Sequence, residues 1–310
     1  MKKQDVIYVA GHKGLVGSAI FHLLKNKGFE NVIVKDSDEL DLRNQNHVND
    51  FFSKNKIDYV FLAAAKVGGI AANNKYKADF IYDNLSIQSN VIHSSFVYKV
   101  KKLLFLGSSC IYPKDSIQPI KEDFLLNGKL EPTNEPYAIA KIAGIKMCDA
   151  YRYQYNCNFI SVMPTNLYGL NDNFDLENCH VLPALIRKFH EAKLNSDKNV
   201  IVWGDGTPKR EFMYVDDCAE ACLFLMETYN DSGVINVGTG IDHSIGEIAE
   251  KIKNIFEYNG DIVFDRSKPN GMKRKLLDVS KINNLGWRSS VSLDLGLKHV
   301  CDNINQVLKS

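Results

Sequence analysis

Five short apolar runs with no polar alternation, separated by stretches of helical periodicity, constrain this chain more than any other feature. They are Val6-Ile7-Tyr8-Val9-Ala10, Val32-Ile33-Val34, Tyr59-Val60-Phe61-Leu62-Ala63, Leu103-Leu104-Phe105-Leu106 and Phe159-Ile160-Ser161-Val162-Met163. Between them, Val16, Ala19, Ile20, Leu23 and Leu24 share one helical face, and Ile81, Leu85, Gln88, Ile92 and Ser95 share another. A strand without polar alternation needs cover on both faces, and intervening helices supply it. The pattern therefore predicts an α/β fold built on a doubly wound parallel sheet of the Rossmann type. Ligands of such sheets bind at the carboxyl ends of the strands, which puts the chemistry just after Ala10, Ala63, Leu106 and Met163.

Past Asn166 the order loosens. Val200-Ile201-Val202-Trp203 reads as a strand, Gly204-Asp205-Gly206 as a turn and Asp216 to Tyr229 as a helix, while Val234 to Val237 is placed to return to the first sheet. Ser244 and Glu247 form a capping box that opens a helix from Ile245 to Phe256, and Gly286 is positioned to end another near Leu285. These features predict a dinucleotide-binding domain over 1–165, with about 210–240 returning to it. Residues 166–209 and 241–310 then form a smaller C-terminal α/β substrate lobe.

Composition narrows the partners. The 310 residues hold 38 Lys and Arg against 37 Asp and Glu, a net charge of +1 that provides no basic footprint for nucleic acid or an anionic membrane. No apolar run approaches the roughly 18 residues of a membrane-spanning helix, and Met1-Lys2-Lys3-Gln4-Asp5 leads into a strand instead of a signal-peptide core. A cytoplasmic protein with a small-molecule partner is expected. The seven cysteines include no C-x-x-C pair, so free thiols are expected, with neither disulfides nor a metal site.

Gly11-His12-Lys13-Gly14-Leu15-Val16-Gly17 spaces three glycines between the first strand and its helix. A backbone without Cβ can turn tightly there and approach a pyrophosphate, whose charge faces the free N–H groups of the helix. NAD-binding loops usually carry an acid about 20 residues further on for the ribose, whereas NADP needs cations for its extra phosphate. Lys35 follows the second strand, and Lys13 can reach the same place, which favours NADP(H). Asp36 beside them could instead hold a ribose.

Tyr137 and Lys141 stand four residues apart, on one helical face. A nearby cation stabilises a phenolate and lowers a phenol pKa from its ordinary value of about 10. Ser108, at the end of the fourth apolar run, can hold a carbonyl oxygen. Cys110 lies two residues on, and His180 precedes Leu182-Pro183; a thiol and an imidazole suit proton removal and return next to a ketone.

These residues resemble the GDP-L-fucose synthases of the extended short-chain dehydrogenase/reductase family. The resemblance runs through Ala10 to Gly17, Leu62 to Ile70, Leu103 to Pro113, Glu131 to Lys146, Met163 to Gly169, His180, Trp203-Gly204, Arg210-Glu211-Phe212 and Lys275-Leu276-Leu277-Asp278. It implies NADPH-dependent 3,5-epimerisation and 4-reduction of a GDP-linked 4-keto sugar. Cys110 would then be the base and His180 the acid for epimerisation. Tyr137 would be the proton donor for reduction, Lys141 its pKa-lowering partner and Ser108 the ketone's hydrogen-bond donor.

For the cofactor the resemblance implies the glycine loop, then Lys35, Ser37, Asp41 and Leu42, then Ala63, Ala64 and Ala65. Leu106, Gly107, Tyr137 and Lys141 follow, with Pro164, Asn166, Leu167 and His180. For the GDP end it implies Lys188, Trp203, Arg210 and Asn270, and it implies a homodimer formed near Asp79 to Lys99 and Tyr137 to Tyr155. Trp203 could otherwise be a core aromatic and Lys188 part of a solvated helix face. Asn270 stands where such chains carry an acid, and Asp36 and Ser37 replace a more cationic pattern. The alternatives are a carbon-4 reductase acting on a related sugar such as a GDP-heptose, and a non-catalytic NADP(H)-binding sensor.

Overall fold

The computed structural model describes residues 1–176, 178–268 and 270–308. Strand β1 (Ile7–Ala10) is buried along its length and hands over to helix α1 (Leu15–Asn26) through the glycine loop. The winding continues as β2 (Val32–Ile33), α2 (Gln45–Lys54), β3 (Tyr59–Leu62), α3 (Ile70–Lys75), α4 (Lys77–Val97), β4 (Lys102–Leu106), α5 (Glu135–Tyr155) and β5 (Phe159–Pro164). After β6 (Asn166–Tyr168), α6 (Val181–Asn195), β7 (Asn199–Trp203), β8 (Lys209–Tyr214) and α7 (Val215–Thr228), strand β9 (Val234–Val237) returns beside β5. The resulting sheet runs β2-β1-β3-β4-β5-β9 with every pairing parallel, the expected doubly wound sheet. Its core gathers Val9, Phe61, Leu104, Ile160 and Ile235, all fully buried.

The rest of the chain adds β10 (Asp242–Ser244), α8 (Ile245–Ile255), β11 (Asp261–Asp265), β12 (Arg274–Lys275), α9 (Ser280–Asn284) and α10 (Leu293–Asp302). The capping box of Ser244 and Glu247 is present at the start of α8, and Gly286 follows α9 with φ of 103°. Strand β8 pairs with β6, β10 and β12, while β7 pairs with β11. A second apolar core forms from Leu185, Phe189, Val200, Ile248, Ile252 and Leu297.

The two cores meet differently from the expected split. Strand β8 serves both: its two-residue alternation turns Phe212 and Tyr214 to the smaller core and Met213 to the larger. Leu277, Val279 and Ile282, expected in the smaller lobe, pack instead into the larger core, because α9 lies against β9. No described helix is long and apolar enough to cross a membrane, and all seven cysteines are free thiols.

One buried cation stabilises the larger body. Lys102, 3% exposed at the start of β4, donates to the carbonyls of Leu225 at 2.9 Å and Met226 at 2.8 Å, to that of Tyr229, and to Asn230 Oδ1 at 3.2 Å. The Met226 and Tyr229 carbonyls lie where intrahelical donors run out at the end of α7, while that of Leu225 also accepts the Tyr229 N–H at 3.0 Å. Burial pulls the ammonium down to about 8, which leaves it charged at neutral pH. Replacing Lys102 with Met removes these bonds, leaves the buried Met226 and Tyr229 carbonyls without that donor, and is expected to destabilise the fold by about 3 kcal/mol, read as a lower denaturant midpoint in equilibrium unfolding.

Candidate active site

The cofactor cradle begins with steric demand. Gly11 has φ of 87°, and a Cβ there would fall 2.7 Å from Ala64 Cα, so the loop lies directly against the end of β3. A Cβ on Gly17 would stand 2.0 Å from the Gly11 carbonyl oxygen. Gly14 caps α1 without a side-chain hydrogen bond, leaving the first N–H groups of the helix to face a ligand. Ala63 bonds the loop's strand through its N–H to the Ala10 carbonyl at 3.1 Å. The cradle fits a dinucleotide pyrophosphate. Of the predicted residues at the far end of the loop, Lys35 is paired with Glu39 at 2.7 Å, Ser37 is exposed, Asp41 pairs with Arg43 and the Leu42 carbonyl accepts from Asn90.

The chemistry-bearing side chains lie at the ends of β4 and α5. Gly144 lets α5 lie close on β4, since a Cβ there would meet Phe105 Cζ at 2.5 Å. That approach buries Lys141, whose Nζ donates to the Leu106 carbonyl at 2.7 Å. Burial pulls its pKa down to about 8. Ser108 opens a 3₁₀ turn over Ser109–Ile111, and its hydroxyl accepts weakly from the Cys110 N–H at 3.4 Å. The same hydroxyl lies within hydrogen-bonding reach of Tyr137.

The surroundings raise the pKa of two proton-transfer groups. Burial, reinforced by the Cys110 thiol, pushes the Tyr137 phenol well above its ordinary value, with only Ser108 opposing. Lys141 does not offset this: its Nζ is drawn to the Leu106 carbonyl and stands 5.8 Å from the phenol ring centroid. Burial likewise raises the Cys110 thiol, against the lowering influence of the Lys275 and Lys141 cations and the Ser108 hydroxyl.

His180 caps α6, its side chain still reached by solvent although protein atoms crowd around the ring. Its approach is fixed by Gly69, whose N–H donates to Asn178 O at 2.8 Å and where a Cβ would meet Cys179 O at 2.6 Å. The surrounding protein and the Lys275 cation pull the imidazole pKa below its ordinary value. Lys275 is a residue that sequence reasoning quoted without a role. It sits in the charged run Lys273-Arg274-Lys275, which reads as solvated surface, yet β12 pairs with β8 so that Lys275 is in register with Arg210. There its charge acts on Cys110 and His180 together.

Glu211 was also quoted without a role. Fully buried, its Oε1 accepts the N–H groups of Thr239 at 2.6 Å and Gly240 at 2.8 Å, and Oε2 accepts that of Leu277 at 2.9 Å. Its own carbonyl accepts from Asn166 Nδ2 at 2.7 Å and from the Thr165 hydroxyl at 3.3 Å. Pro164, Asn166 and Leu167, at the end of β5 and in β6, are thereby tied to the strands that carry Arg210 and Lys275.

At the outer end of the cleft Trp203 is 59% exposed, not a core aromatic. Lys188 and Lys268 place their ammonium groups 5.7 Å and 5.4 Å from its ring centroid, and Lys188 also donates to the Ile201 carbonyl. A cavity of about 310 Å³ opens beside it, lined by Asp205, Thr207, Arg266, Lys268 and Asn270. Asn270 spends its Oδ1 on the Asp205 N–H at 2.9 Å, so that oxygen holds the Gly204–Gly206 turn instead of facing a sugar nucleotide.

A glycine cradle at the first strand of a doubly wound sheet, facing Ser108 and a Tyr-x-x-x-Lys pair at the fourth, defines a dinucleotide-dependent short-chain dehydrogenase/reductase. The model of the NAD dependent epimerase/dehydratase family matches residues 7–238. GDP-L-fucose synthase 1 of Arabidopsis thaliana is 57% identical over 97% of this chain and 93% of its own. A GDP-6-OMe-4-keto-L-xylo-heptose reductase from C. jejuni is 40% identical with a TM-score of 0.95, covering 99% of both chains. A GDP-L-fucose synthetase from Naegleria fowleri bound to NADP is 30% identical with a TM-score of 0.93, covering 100% of this chain and 97% of that one. The chain belongs to the NAD dependent epimerase/dehydratase family and, within it, to the GDP-L-fucose synthases.

Proposed function

We propose that this enzyme epimerises carbons 3 and 5 of a GDP-linked 4-keto-6-deoxy-hexose and reduces its carbon 4, giving GDP-L-fucose. The observation that carries the reading is the grouping of Cys110, Ser108 and Tyr137, with the Lys275 charge acting on both Cys110 and His180. The carbon-4 ketone acidifies the C–H bonds on either side of it, so epimerisation must precede the reduction that removes the ketone. Cys110, as thiolate, takes the proton, and His180 returns one. Ser108 donates to the ketone oxygen, whose developing charge its hydroxyl stabilises. The protein crowded around the ring and the Lys275 charge pull the His180 pKa down, and the negative charge of the substrate's diphosphate and enolate opposes that pull.

The glycine cradle, Lys141 and the Asn166 strand would hold NADPH, which when bound would supply hydride to carbon 4. Tyr137 gives its proton to the oxygen, and its raised pKa keeps that proton in place until the alkoxide forms. Arg210 and Lys188 meet the diphosphate and Trp203 packs on the base. The larger body binds cofactor and the smaller one the nucleotide. Exposed Tyr82 on α4 and Tyr153 on α5 support a homodimer through those helices, and seven free thiols support the cytoplasm as its compartment.

The second reading, carbon-4 reduction of a GDP-heptose without epimerisation, is favoured by the likeness to the C. jejuni reductase. Incubation with GDP-4-keto-6-deoxy-D-mannose and NADPH in D2O separates the two. GDP-L-fucose carrying deuterium at carbons 3 and 5 is expected. Hydride transfer without deuterium there would leave a reductase alone.

A further inference from the structure

The end of β2 bears on which reduced nicotinamide the cleft accepts. Asp36 follows that strand about 20 residues after the last loop glycine, where an acid reads the ribose hydroxyls of NAD. Its Oδ2 accepts from Lys13 Nζ at 2.7 Å and its Oδ1 lies 3.3 Å from His12 Nε2, so the carboxylate reaches over the mouth of the glycine loop. Lys35, the other cation available to a 2′-phosphate, is bound to Glu39 at 2.7 Å, and Glu39 also accepts the Asp36 N–H at 3.1 Å. Each lysine thus already has a carboxylate, in a segment, Lys35-Asp36-Ser37-Asp38-Glu39-Leu40-Asp41, whose acids outnumber its one cation.

These contacts treat the two cofactors unequally. A ribose 2′-hydroxyl can donate to Asp36 without disturbing any ion pair. A 2′-phosphate has to draw Lys13 and Lys35 from their carboxylates and settle beside Asp36. Exposed ion pairs rearrange at small cost, so the phosphate is accepted, but without the advantage that unpaired cations would give it.

We propose that Asp36 gives this enzyme the use of NADH alongside NADPH, as the acceptor for the 2′-hydroxyl of the NADH ribose. In turnover with NADH the ketone carbon gains the hydride, its oxygen gains the Tyr137 proton and NAD⁺ leaves. Turnover rests on the reductase reading, whereas binding does not.

Calorimetric titration of the full chain with NADPH and with NADH, in the absence of sugar nucleotide, tests the proposal directly. The two dissociation constants are expected within about tenfold of each other, a difference of about 1.4 kcal/mol or less. Asp36→Ala should weaken NADH about tenfold while leaving NADPH unchanged or tighter, and Lys13→Ala should weaken NADPH more than NADH. NADPH binding more than tenfold tighter to the unaltered enzyme would overturn the proposal. So would equal weakening of both cofactors in Asp36→Ala, the mark of an ion pair that only supports the loop. Binding of both cofactors with no oxidation of either by the keto sugar would sink the catalytic reading and leave this one standing.

Discussion

Tyr137→Phe is expected to lower the rate of reduction by roughly 10²–10⁴-fold while leaving NADPH affinity and deuterium wash-in at carbons 3 and 5 near their original values. In the proposed reaction the phenol protonates the carbon-4 oxygen, and burial raises its pKa well above the ordinary value. Removing only its oxygen preserves the ring's edge-to-face packing on Phe80, 6.3 Å between centroids, so the cradle is not disturbed. The sign of the pH dependence follows. A phenol with a raised pKa stays protonated and neutral through the neutral and mildly alkaline range, and reduction should show no fall there from Tyr137. Single-turnover hydride transfer from NADPH, with wash-in measured in parallel, checks both halves. Equal losses in the two would mean that Tyr137 acts on the sugar's position and not on the proton.

Cys110→Ser is expected to cut deuterium wash-in by a similar 10²–10⁴-fold, because a hydroxyl at that position is too weak an acid to ionise. The thiol must lose its proton to act, and burial raises its pKa above the ordinary 9.0. Wash-in by the unaltered enzyme should therefore climb as pH rises through the neutral range toward that pKa. The Lys275 cation lowers the thiol pKa, so Lys275→Met should move the climb to higher pH. An alkaline limb that stays put in Lys275→Met, or Cys110→Ser with undiminished wash-in, would assign the base elsewhere.

The parts of this site that were legible in the sequence are those whose partners lie close along the chain. Gly11, Gly14 and Gly17 announce a cradle by spacing, Tyr137 and Lys141 share a helix turn, and Ser244 with Glu247 writes out its own cap. Even the return of Val234–Val237 to the sheet follows from its apolar run. The missing parts are contacts between distant segments. Nothing in Lys273-Arg274-Lys275 distinguishes the residue facing Cys110 from its solvated neighbours until β12 takes its register on β8. Leu277, Val279 and Ile282 are apolar in a way that fits either core, and only the docking of α9 on β9 decides between them. The Lys141 ammonium could not be placed from the sequence for a related reason: helical spacing brings it toward Tyr137, but the Leu106 carbonyl to which it donates belongs to β4. Asn270 was judged by the side chain it replaces, when its oxygen is committed to the backbone of Asp205.

Glu211 bears on how chains of this family acquire new sugars. One carboxylate and one carbonyl collect donors from the 165–166, 239–240 and 277 segments, so these three segments hang on a common post. Gly238 guards that post, since a Cβ there would strike Glu211 Oε1 at 2.2 Å. With the trellis held at this point, side chains that project from it can be exchanged without redrawing the frame. On the proposed reading, substrate range is then a matter of what grows on the trellis, with Ser108, Tyr137 and Lys141 keeping their stations.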